Sequence, residues 1–313
     1  IIKDPEQSPF FKPFQQFPAS ISIEEQKNLQ TQAKQVIETL IVPAYKKLYE
    51  FWTQKYYPST RNTTALSSLP NGQAWYTYLA KTHTTTELTP KEIHDIGLSE
   101  VKPIQVEMDG VMRQSGFQGS FEEFIQFLRH DSQFFYTKPE DLLTGYRDIC
   151  KRIDAQLPKF FGKLPRTPYG VKEIPSYAAQ SSTTAYYVPG SMEAGTPGWF
   201  YANTYRLDTR PKWEMEALTI HEAVPGHHLQ LSIAMELENV PRFRNFLFFT
   251  AFVEGWGLYS ESLGVEMGFY QDVYSKFGQL AYEMWRARRL VVDTGLHVFG
   301  WDRQKAIDYF MAN

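Results

Sequence analysis

Apolar positions recur at helical spacing over most of the chain, and this pattern predicts a mainly α-helical protein. One helix should begin after Ser22, which forms a capping box with Glu25, and another after Thr89, with Pro90 at the first helical position. Pro43 should kink or divide the first helix, because proline lacks an amide hydrogen and clashes with the preceding turn. Over the last third of the chain the helical pattern returns in three segments.

Two stretches depart from the helical pattern. Residues 1–20 are rich in Pro and Phe without any period, which predicts an extended arm laid over the surface. Residues 167–209 are rich in Gly, Pro, Ser, Thr and Tyr, and the runs STTAYYVPG and PGWFYANTYRL alternate like β-strands. We therefore expect a single large helical domain over residues 1–313 that carries a small β element. Because the chain begins at Ile1 rather than at a methionine, we also expect it to be the C-terminal part of a longer protein.

Composition narrows the possible classes of function. The 313 residues carry a net charge of -3, so the chain lacks the basic character that indicates a nucleic-acid partner. No apolar run approaches the roughly 20 residues that a membrane-spanning helix needs. Cys150 is the only cysteine, which excludes an internal disulfide and is compatible with the cytosol or with a bacterial envelope compartment.

The stretch HEAVPGHHLQ, from His221 to Gln230, carries the strongest chemical signal. It holds three of the seven histidines in the protein, and a glutamate follows the first of them. In the motif H-E-x-x-H, two histidines one helical turn apart bind a single zinc ion, and the adjacent glutamate polarises a water molecule. Here a Pro-Gly pair lengthens the spacing, so the second ligand is either His227 or His228.

The spacing alone leaves both histidines open as the second ligand. On a regular helix His228 returns near the face of His221, but it lies about 10.5 Å away along the axis, too far to share one ion. Pro225 and Gly226 favour irregular backbone, and looping out two residues would restore the usual ligand spacing between His221 and His227. We therefore prefer His227 as the ligand and keep His228 as the alternative. If His227 is the ligand, His228 is a candidate for supporting the ligands.

The next helical segment, FVEGWGLYSE, supplies two carboxylates. A catalytic zinc needs a third protein ligand and an open position. Glu254 lies among apolar and aromatic neighbours in sequence, where a lone carboxylate is costly unless it is paired or binds a metal. Glu261 follows on the same helical face, where it can accept a hydrogen bond from a ligand histidine.

Together, HEAVPGHHLQ, FVEGWGLYSE and RARRLVVDTGLH resemble the bacterial domain-of-unknown-function family DUF885. Through it they resemble the gluzincin zinc peptidases, which include thimet oligopeptidase-like and carboxypeptidase Taq-like enzymes. The resemblance implies a mainly α fold in which a small β element lies beside a zinc-binding helix pair. It also implies one zinc ion held by His221, His227 and Glu254, with Glu222 as the general base. The lengthened H-E-x-x-x-x-H spacing departs from the gluzincin pattern.

Two further sets of residues are candidates for supporting the ligands or for binding a substrate. The run RARRLVVDTGLH places four residues at intervals of three and four: Arg286, Arg289, Asp293 and His297. They share one helical face, and they form either a buried ion network or a site for a substrate carboxylate. In related zinc peptidases an edge strand pairs with the extended substrate. The run GWFYANTY therefore makes Tyr201 and Asn203 candidates for substrate contacts, and an ordinary strand of a small sheet fits equally well.

These observations predict a zinc-dependent metallohydrolase, with a peptidase as the preferred activity and a peptide or another acyl compound as the substrate. The alternatives are a non-catalytic protein that binds metal or peptide, and a zinc hydrolase of a non-peptide amide or ester. Glu222 beside His221 disfavours the binding protein, because a metal site without turnover needs no base. We expect the protein in the bacterial periplasm or cell envelope, for example as a lipoprotein, with the cytoplasm as the alternative.

Overall fold

A computed structural model describes residues 4–245 and 247–312, and it confirms the mainly helical fold with a small β element. The chain, for which we expected a single domain, forms two compact units, Ile1–Thr63 and Thr64–Asn313. Among the described residues, no helix combines the length and the apolar character that a membrane span requires. The helices of the first unit are α1 (Ile23–Val36) and α2 (Val42–Phe51).

The N-terminal segment of the first unit is helical rather than extended. Two 3-10 helices, Pro5–Gln7 and Pro9–Phe14, replace the predicted arm, and residues 1–3 of that arm lie outside the described part. Each helix begins after a side chain that accepts an amide hydrogen, Asp4 or Ser8. A proline follows in each case, and its fixed φ suits the first helical position. The Asp-Pro and Ser-Pro pairs are therefore the local helix signal in this segment.

A π-helix precedes Pro43, so the first long helix widens at this point instead of dividing. The π-helical residues are Ile37–Ile41, and the amide of Val42 donates to the carbonyl of Ile37, five residues back. This wider turn relieves the close approach between a proline ring and the carbonyl four residues before it. The helical direction therefore continues from α1 into α2, and Ile37 stays buried in the small core of this unit.

The second unit holds the other α-helices and the described sheet. Thr89 caps α4 as predicted, and the side chain of Glu92 completes the reciprocal capping box. The strands, which lie within the segment predicted to be β, are β1 (Tyr169–Glu173), β2 (Ala185–Val188) and β3 (Gly198–Ala202). The helices are α3 (Gly72–Thr84), α4 (Pro90–Gln114), α5 (Phe121–His130), α6 (Pro139–Asp154), α7 (Leu157–Phe160), α8 (Ser176–Ala179), α9 (Met215–Glu222), α10 (His227–Met235), α11 (Thr250–Glu266), α12 (Val273–His297) and α13 (Arg303–Ala312).

Two hydrophobic cores hold the second unit together. In one, α4, α5 and α12 pack around fully buried side chains such as Phe124, Phe277 and Leu280. In the other, α6 and α9 pack against the sheet around Ile153 and Phe200. Each such side chain contributes about 1.5–3 kcal/mol on burial. Helix α9 contacts α6, α11, α12 and β2, so the first histidine of the motif sits on a helix that is fixed from several sides.

The sheet has the strand order β1-β3-β2, with β3 parallel to β1 and antiparallel to β2. Burial alternates along β3, because Phe200 and Ala202 face the core while Trp199 and Tyr201 lie half-buried on the other face. The GWFYANTY run therefore forms the central strand. The expectation of an edge strand that is open to a substrate is wrong for this run, because its backbone is paired on both sides.

Candidate metal centre

The HEAVPGHH motif forms two helices joined by an irregular turn. Helix α9 ends at Glu222, and α10 begins at His227. Ala223 and Gly226 leave the helical region, with ψ values of -106° and -130°. The predicted two-residue bulge inside one continuous helix is therefore wrong, because residues 223–226 end one helix and lead into another.

Two hydrogen bonds and one close approach define this turn. The amide of Gly226 donates to the carbonyl of Ile220 at 3.0 Å. From α11, the indole Nε1 of Trp256 donates to the carbonyl of Pro225 at 2.7 Å. A Cβ on Gly226 would lie 1.9 Å from the carbonyl oxygen of His221, so the turn requires glycine at this position.

The turn brings His227 beside His221, and α11 brings Glu254 to both. These three residues form the His–His–Glu cluster, in which one ligand atom of each lies within 4.8 Å of the other two. Nε2 of His221 is 3.6 Å from Oε2 of Glu254, and Nε2 of His227 is 3.7 Å from Oε1. Ligand atoms around a tetrahedral zinc with bonds of about 2.1 Å are about 3.4 Å apart, so this spacing fits one ion. Within residues 4–245 and 247–312, this is the one such group of three metal-binding side chains.

Glu254 is more exposed than its apolar neighbours in sequence suggest. Its side chain is 53% exposed, whereas those of His221 and His227 are 7% and 10% exposed. The argument from a buried lone carboxylate is therefore wrong for this residue. The cluster is instead buried on its histidine side and accessible to solvent at Glu254.

Glu261, also on α11, fixes His221 through its other ring nitrogen. Oε1 of Glu261 lies 2.8 Å from Nδ1 of His221, and the carboxylate is 1% exposed. When Nδ1 donates its hydrogen to Glu261, the lone pair of Nε2 remains for a metal ion. Arg286 of α12 also contacts this carboxylate, with Nη2 at 2.7 Å from the same Oε1. The structure thus places Glu261 where the sequence predicts a supporting acceptor.

Gly257 gives the imidazole of His221 room to lie against α11. A Cβ at this position would lie 2.5 Å from Cε1 and 2.8 Å from Nε2 of His221. Two residues earlier in the same helix, a Cβ on Gly255 would meet no atom within 4 Å. Packing against the ligand therefore requires glycine at position 257 only. The motif analysis did not single out this site residue, and its one visible signal is the EGWG run that begins at Glu254.

Glu222, the predicted general base, ends α9 beside His221. The residue is 8% exposed, and its carboxylate makes no hydrogen bond or ion pair with another described residue. Burial raises the pKa of Glu222 to about 7, with His221 opposing this effect and Glu254 adding to it. A buried carboxylate next to a candidate metal ligand is a candidate general base.

The two histidines of the His–His–Glu cluster differ in their electrostatic surroundings. Burial alone would lower the pKa of His221, but the carboxylates of Glu254 and Glu261 on either side raise it to about 9. Burial, reinforced by the charge of His221, lowers the pKa of His227 to about 4. Contact with His221 lowers the pKa of the Glu254 carboxyl. The carboxylates around His221 therefore stabilise a positive charge at this position.

His228 points away from the cluster and toward the sheet. Its Nδ1 lies 2.7 Å from the hydroxyl of Tyr187 in β2 and 3.3 Å from the hydroxyl of Ser232. Its ring centroid is 4.5 Å from that of Tyr169 in β1. Burial lowers the pKa of His228 to about 4, so this histidine is a neutral link between α10 and the sheet. Of the two candidates for the second ligand, the structure brings His227 into the cluster.

Two residues of the charged face of α12 lie in a separate network. Asp293 accepts a hydrogen bond of 2.6 Å from the hydroxyl of Tyr76, and Nδ1 of His297 accepts one of 3.0 Å from the amide of Leu66. The rings of Tyr76 and His297 stack at 5.5 Å. We call Tyr76, Asp293 and His297 the C-terminal network, because it lies at the C-terminal end of α12. It ties α3 and the turn before it to α12.

Arg289, Tyr201 and Asn203 also have local partners. The exposed guanidinium of Arg289 lies 4.9 Å from the ring centroid of Trp285. Tyr201 stacks on Tyr186 across the sheet at 5.1 Å. The buried amide of Asn203 donates to main-chain carbonyls of the segment that precedes β2. Within the described residues, no hydrogen bond or ion pair joins any of the three to the His–His–Glu cluster.

The fold is thus mainly helical with a three-stranded sheet, and the site is a candidate metal centre of two histidines and one glutamate. The chain belongs to the family described as bacterial proteins of unknown function (DUF885), which it matches over residues 1–313. None of the curated proteins compared with the sequence matches it. The chain is similar to a crystal structure described as "the putative lipoprotein from Colwellia psychrerythraea", with a TM-score of 0.91 and 30% identity. The similarity covers 97% of this chain and 54% of that one, so the chain spans about half the length of the Colwellia protein.

Proposed function

We propose that this protein is a zinc-dependent hydrolase, in the first place a peptidase, that acts at the His–His–Glu cluster. One observation carries the proposal. A buried carboxylate, Glu222, directly follows His221 in a site where three ligand atoms lie within 4.8 Å of one another. Two histidines and one glutamate are a ligand set of hydrolytic zinc sites, and a metal site without turnover has no need of the additional carboxylate.

The distances within the cluster support a bound cation. The N···O separations of 3.6 and 3.7 Å between the histidines and Glu254 are too long for hydrogen bonds. They match the spacing of atoms that share an ion. Imidazole nitrogen and carboxylate oxygen are donors that zinc accepts, and Glu261 leaves Nε2 of His221 free to bind. His221, His227 and Glu254 are therefore the residues that would hold the metal.

In the proposed hydrolysis, each side chain of the site has a separate role. Bound zinc would polarise the scissile carbonyl and make a water molecule more acidic. Glu222 accepts the proton of the attacking water and then delivers it to the leaving nitrogen. Glu261 keeps the imidazole of His221 in a fixed orientation. The exposed side of Glu254 leaves room for the substrate.

The arrangement also supports a relationship with the gluzincin peptidases. In those enzymes, the ligands are two histidines of the motif and a glutamate of the following helix. Here the turn at residues 223–226 splits the motif between α9 and α10, and Glu254 comes from the next helix, α11. The turn thus compensates for the lengthened spacing and returns His227 to the neighbourhood of His221.

We infer that the protein acts in the bacterial cell envelope. This inference is supported by the Colwellia protein, which shares the fold and is described as a "putative lipoprotein". This chain spans about half of the Colwellia protein. The activity and the substrate of a full-length protein are therefore part of this proposal.

Substitution of Glu222 by Gln tests the proposed function. The wild-type protein should hold about one zinc ion and cleave members of an unbiased peptide library. Glu222→Gln should keep the zinc and the melting temperature but lose about 100-fold or more in turnover, because an amide cannot accept the proton. Glu266→Gln, at an exposed position of α11, is the matched control and should keep full activity.

Each other outcome points to a different conclusion. Zinc binding without cleavage of any peptide, amide or ester would identify a binding protein instead. Cleavage restricted to non-peptide amides or esters would keep the hydrolase and exclude the peptidase. Activity of Glu222→Gln within a few-fold of wild type would contradict the role of Glu222.

A further inference from the structure

Arg286 lies beside the candidate metal centre, where its guanidinium is close to both Glu261 and His221. Its side chain is 23% exposed and projects from α12. Nη2 donates to Oε1 of Glu261 at 2.7 Å, and Nη1 approaches Oε2 of the same carboxylate at 3.4 Å. Nη1 also donates to the carbonyl of Tyr282 at 3.1 Å. The guanidinium is therefore held by the carboxylate of Glu261 and by a main-chain carbonyl of its own helix.

One oxygen of Glu261 joins Arg286 to the ligand His221. Oε1 lies 2.8 Å from Nδ1 of His221 and 2.7 Å from Nη2 of Arg286, and these two nitrogens are 3.1 Å apart. An ionised carboxylate only accepts hydrogen bonds, so both nitrogens donate to it. The shared acceptor therefore fixes the ring of His221 with Nε2 toward the His–His–Glu cluster.

We propose that Arg286 is a positioning residue that sets how tightly the His–His–Glu cluster holds its metal ion, an inference that rests on the proposed function. Glu261 is 1% exposed, and within the described residues its ion pairs are with His221 and Arg286. A carboxylate buried to this degree requires an opposite charge and hydrogen bonds. The planar fork of Arg286 reaches both of its oxygens and prevents the carboxylate from rotating away from His221.

The same helix offers a matched control for this proposal. Arg289 lies three residues after Arg286, but its guanidinium is exposed and lies over the ring of Trp285 at 4.9 Å. Substitution of Arg289 removes the same charge from the same helix without touching Glu261. An effect of lowering the positive charge of α12 as a whole would therefore appear in both variants, whereas the contact with Glu261 is lost in the Arg286 variant alone.

The test is the zinc dissociation constant, measured by competition with a chelator on the folded chain. Arg286→Met should weaken zinc binding by about 10–100-fold, the range typical for groups that orient a metal ligand. Arg286→Lys should recover part of this loss, because an ammonium keeps the charge but cannot bridge both carboxylate oxygens. Arg289→Met should bind zinc like the wild type. Circular dichroism and thermal unfolding without metal confirm that each variant is folded.

A double variant separates a positioning role from a direct one. If Arg286 acts through Glu261, Glu261→Gln with Arg286→Met should bind zinc within a few-fold of Glu261→Gln alone. Additive losses, or wild-type affinity in Arg286→Met, would overturn the inference while zinc binding by the wild type stands. If the wild-type chain bound no zinc, the proposed function itself would fail, and the inference with it.

Discussion

Helix α12 contributes to two polar networks, and each network contains a histidine and a carboxylate. In the first, His221 donates to Glu261, and Arg286 supports that carboxylate from α12. In the C-terminal network, His297 accepts from a main-chain amide, and Asp293 accepts from a phenol. The residues of the first network come from three helices, whereas Asp293 and His297 lie one turn apart on α12.

The two networks differ in the groups that surround Nε2, the second ring nitrogen of each histidine. Nε2 of His221 faces Glu254 at 3.6 Å, and the ring of His227 lies 4.5 Å away. Nε2 of His297 lies 3.9 Å from Oδ1 of Asp293, and no described group of three metal-binding side chains includes either residue. A histidine held by one nitrogen becomes a candidate ligand only where further donors converge on the other. The first network therefore adjoins the candidate metal centre, and the second joins helices.

Among substitutions outside the His–His–Glu cluster, the largest expected effect comes from the packing of His221 against α11. Gly257→Ala should lower zinc affinity by about 100-fold or more, because the new Cβ displaces the imidazole of a ligand. Gly255→Ala should leave zinc affinity unchanged and raise helix stability by about 0.5–1 kcal/mol, because its Cβ would meet open space. Isothermal titration with zinc and urea unfolding measure the two effects. Equal zinc affinity in the two variants would remove Gly257 from the site.

The smallest effect should come from the C-terminal network. Tyr76→Phe removes the hydrogen bond of 2.6 Å to Asp293 and should lower the free energy of unfolding by about 1 kcal/mol. Zinc affinity should not change, because this network joins α3 to α12 without contributing a ligand. Urea unfolding and zinc titration of the same preparation check both statements. A large loss of zinc binding in Tyr76→Phe would show that the two networks are coupled.

Local signals predicted much of the fold. Thr89 and Pro90 marked the start of α4, and the change in composition over residues 167–209 located the strands. Each of these features depends on residues close in sequence, such as a cap or a turn dipeptide. The strand order depends on pairing between distant segments, which is why the central position of β3 did not follow from its sequence.

The site shows the same division between local and distant contacts. The chemical types of His221, Glu222 and Glu254 were visible in the motifs, but the path of the turn between α9 and α10 was not. That path depends on Trp256, which donates from another helix to the carbonyl of Pro225. The requirement for glycine beside His221 likewise arises only when α11 packs on α9. Contacts of this kind have no signature within the motif itself.

The neighbouring histidines of α10 give the most direct test of the metal centre. His227 lies 3.7 Å from Glu254 in the cluster, whereas His228 hydrogen-bonds to Tyr187 in the sheet. Zinc per chain, measured by mass spectrometry after dialysis, should fall close to zero in His227→Ala. It should stay near one in His228→Ala, with an affinity at most about 10–100-fold weaker. The reverse pattern, or zinc retained by both variants, would contradict a centre built from His221, His227 and Glu254.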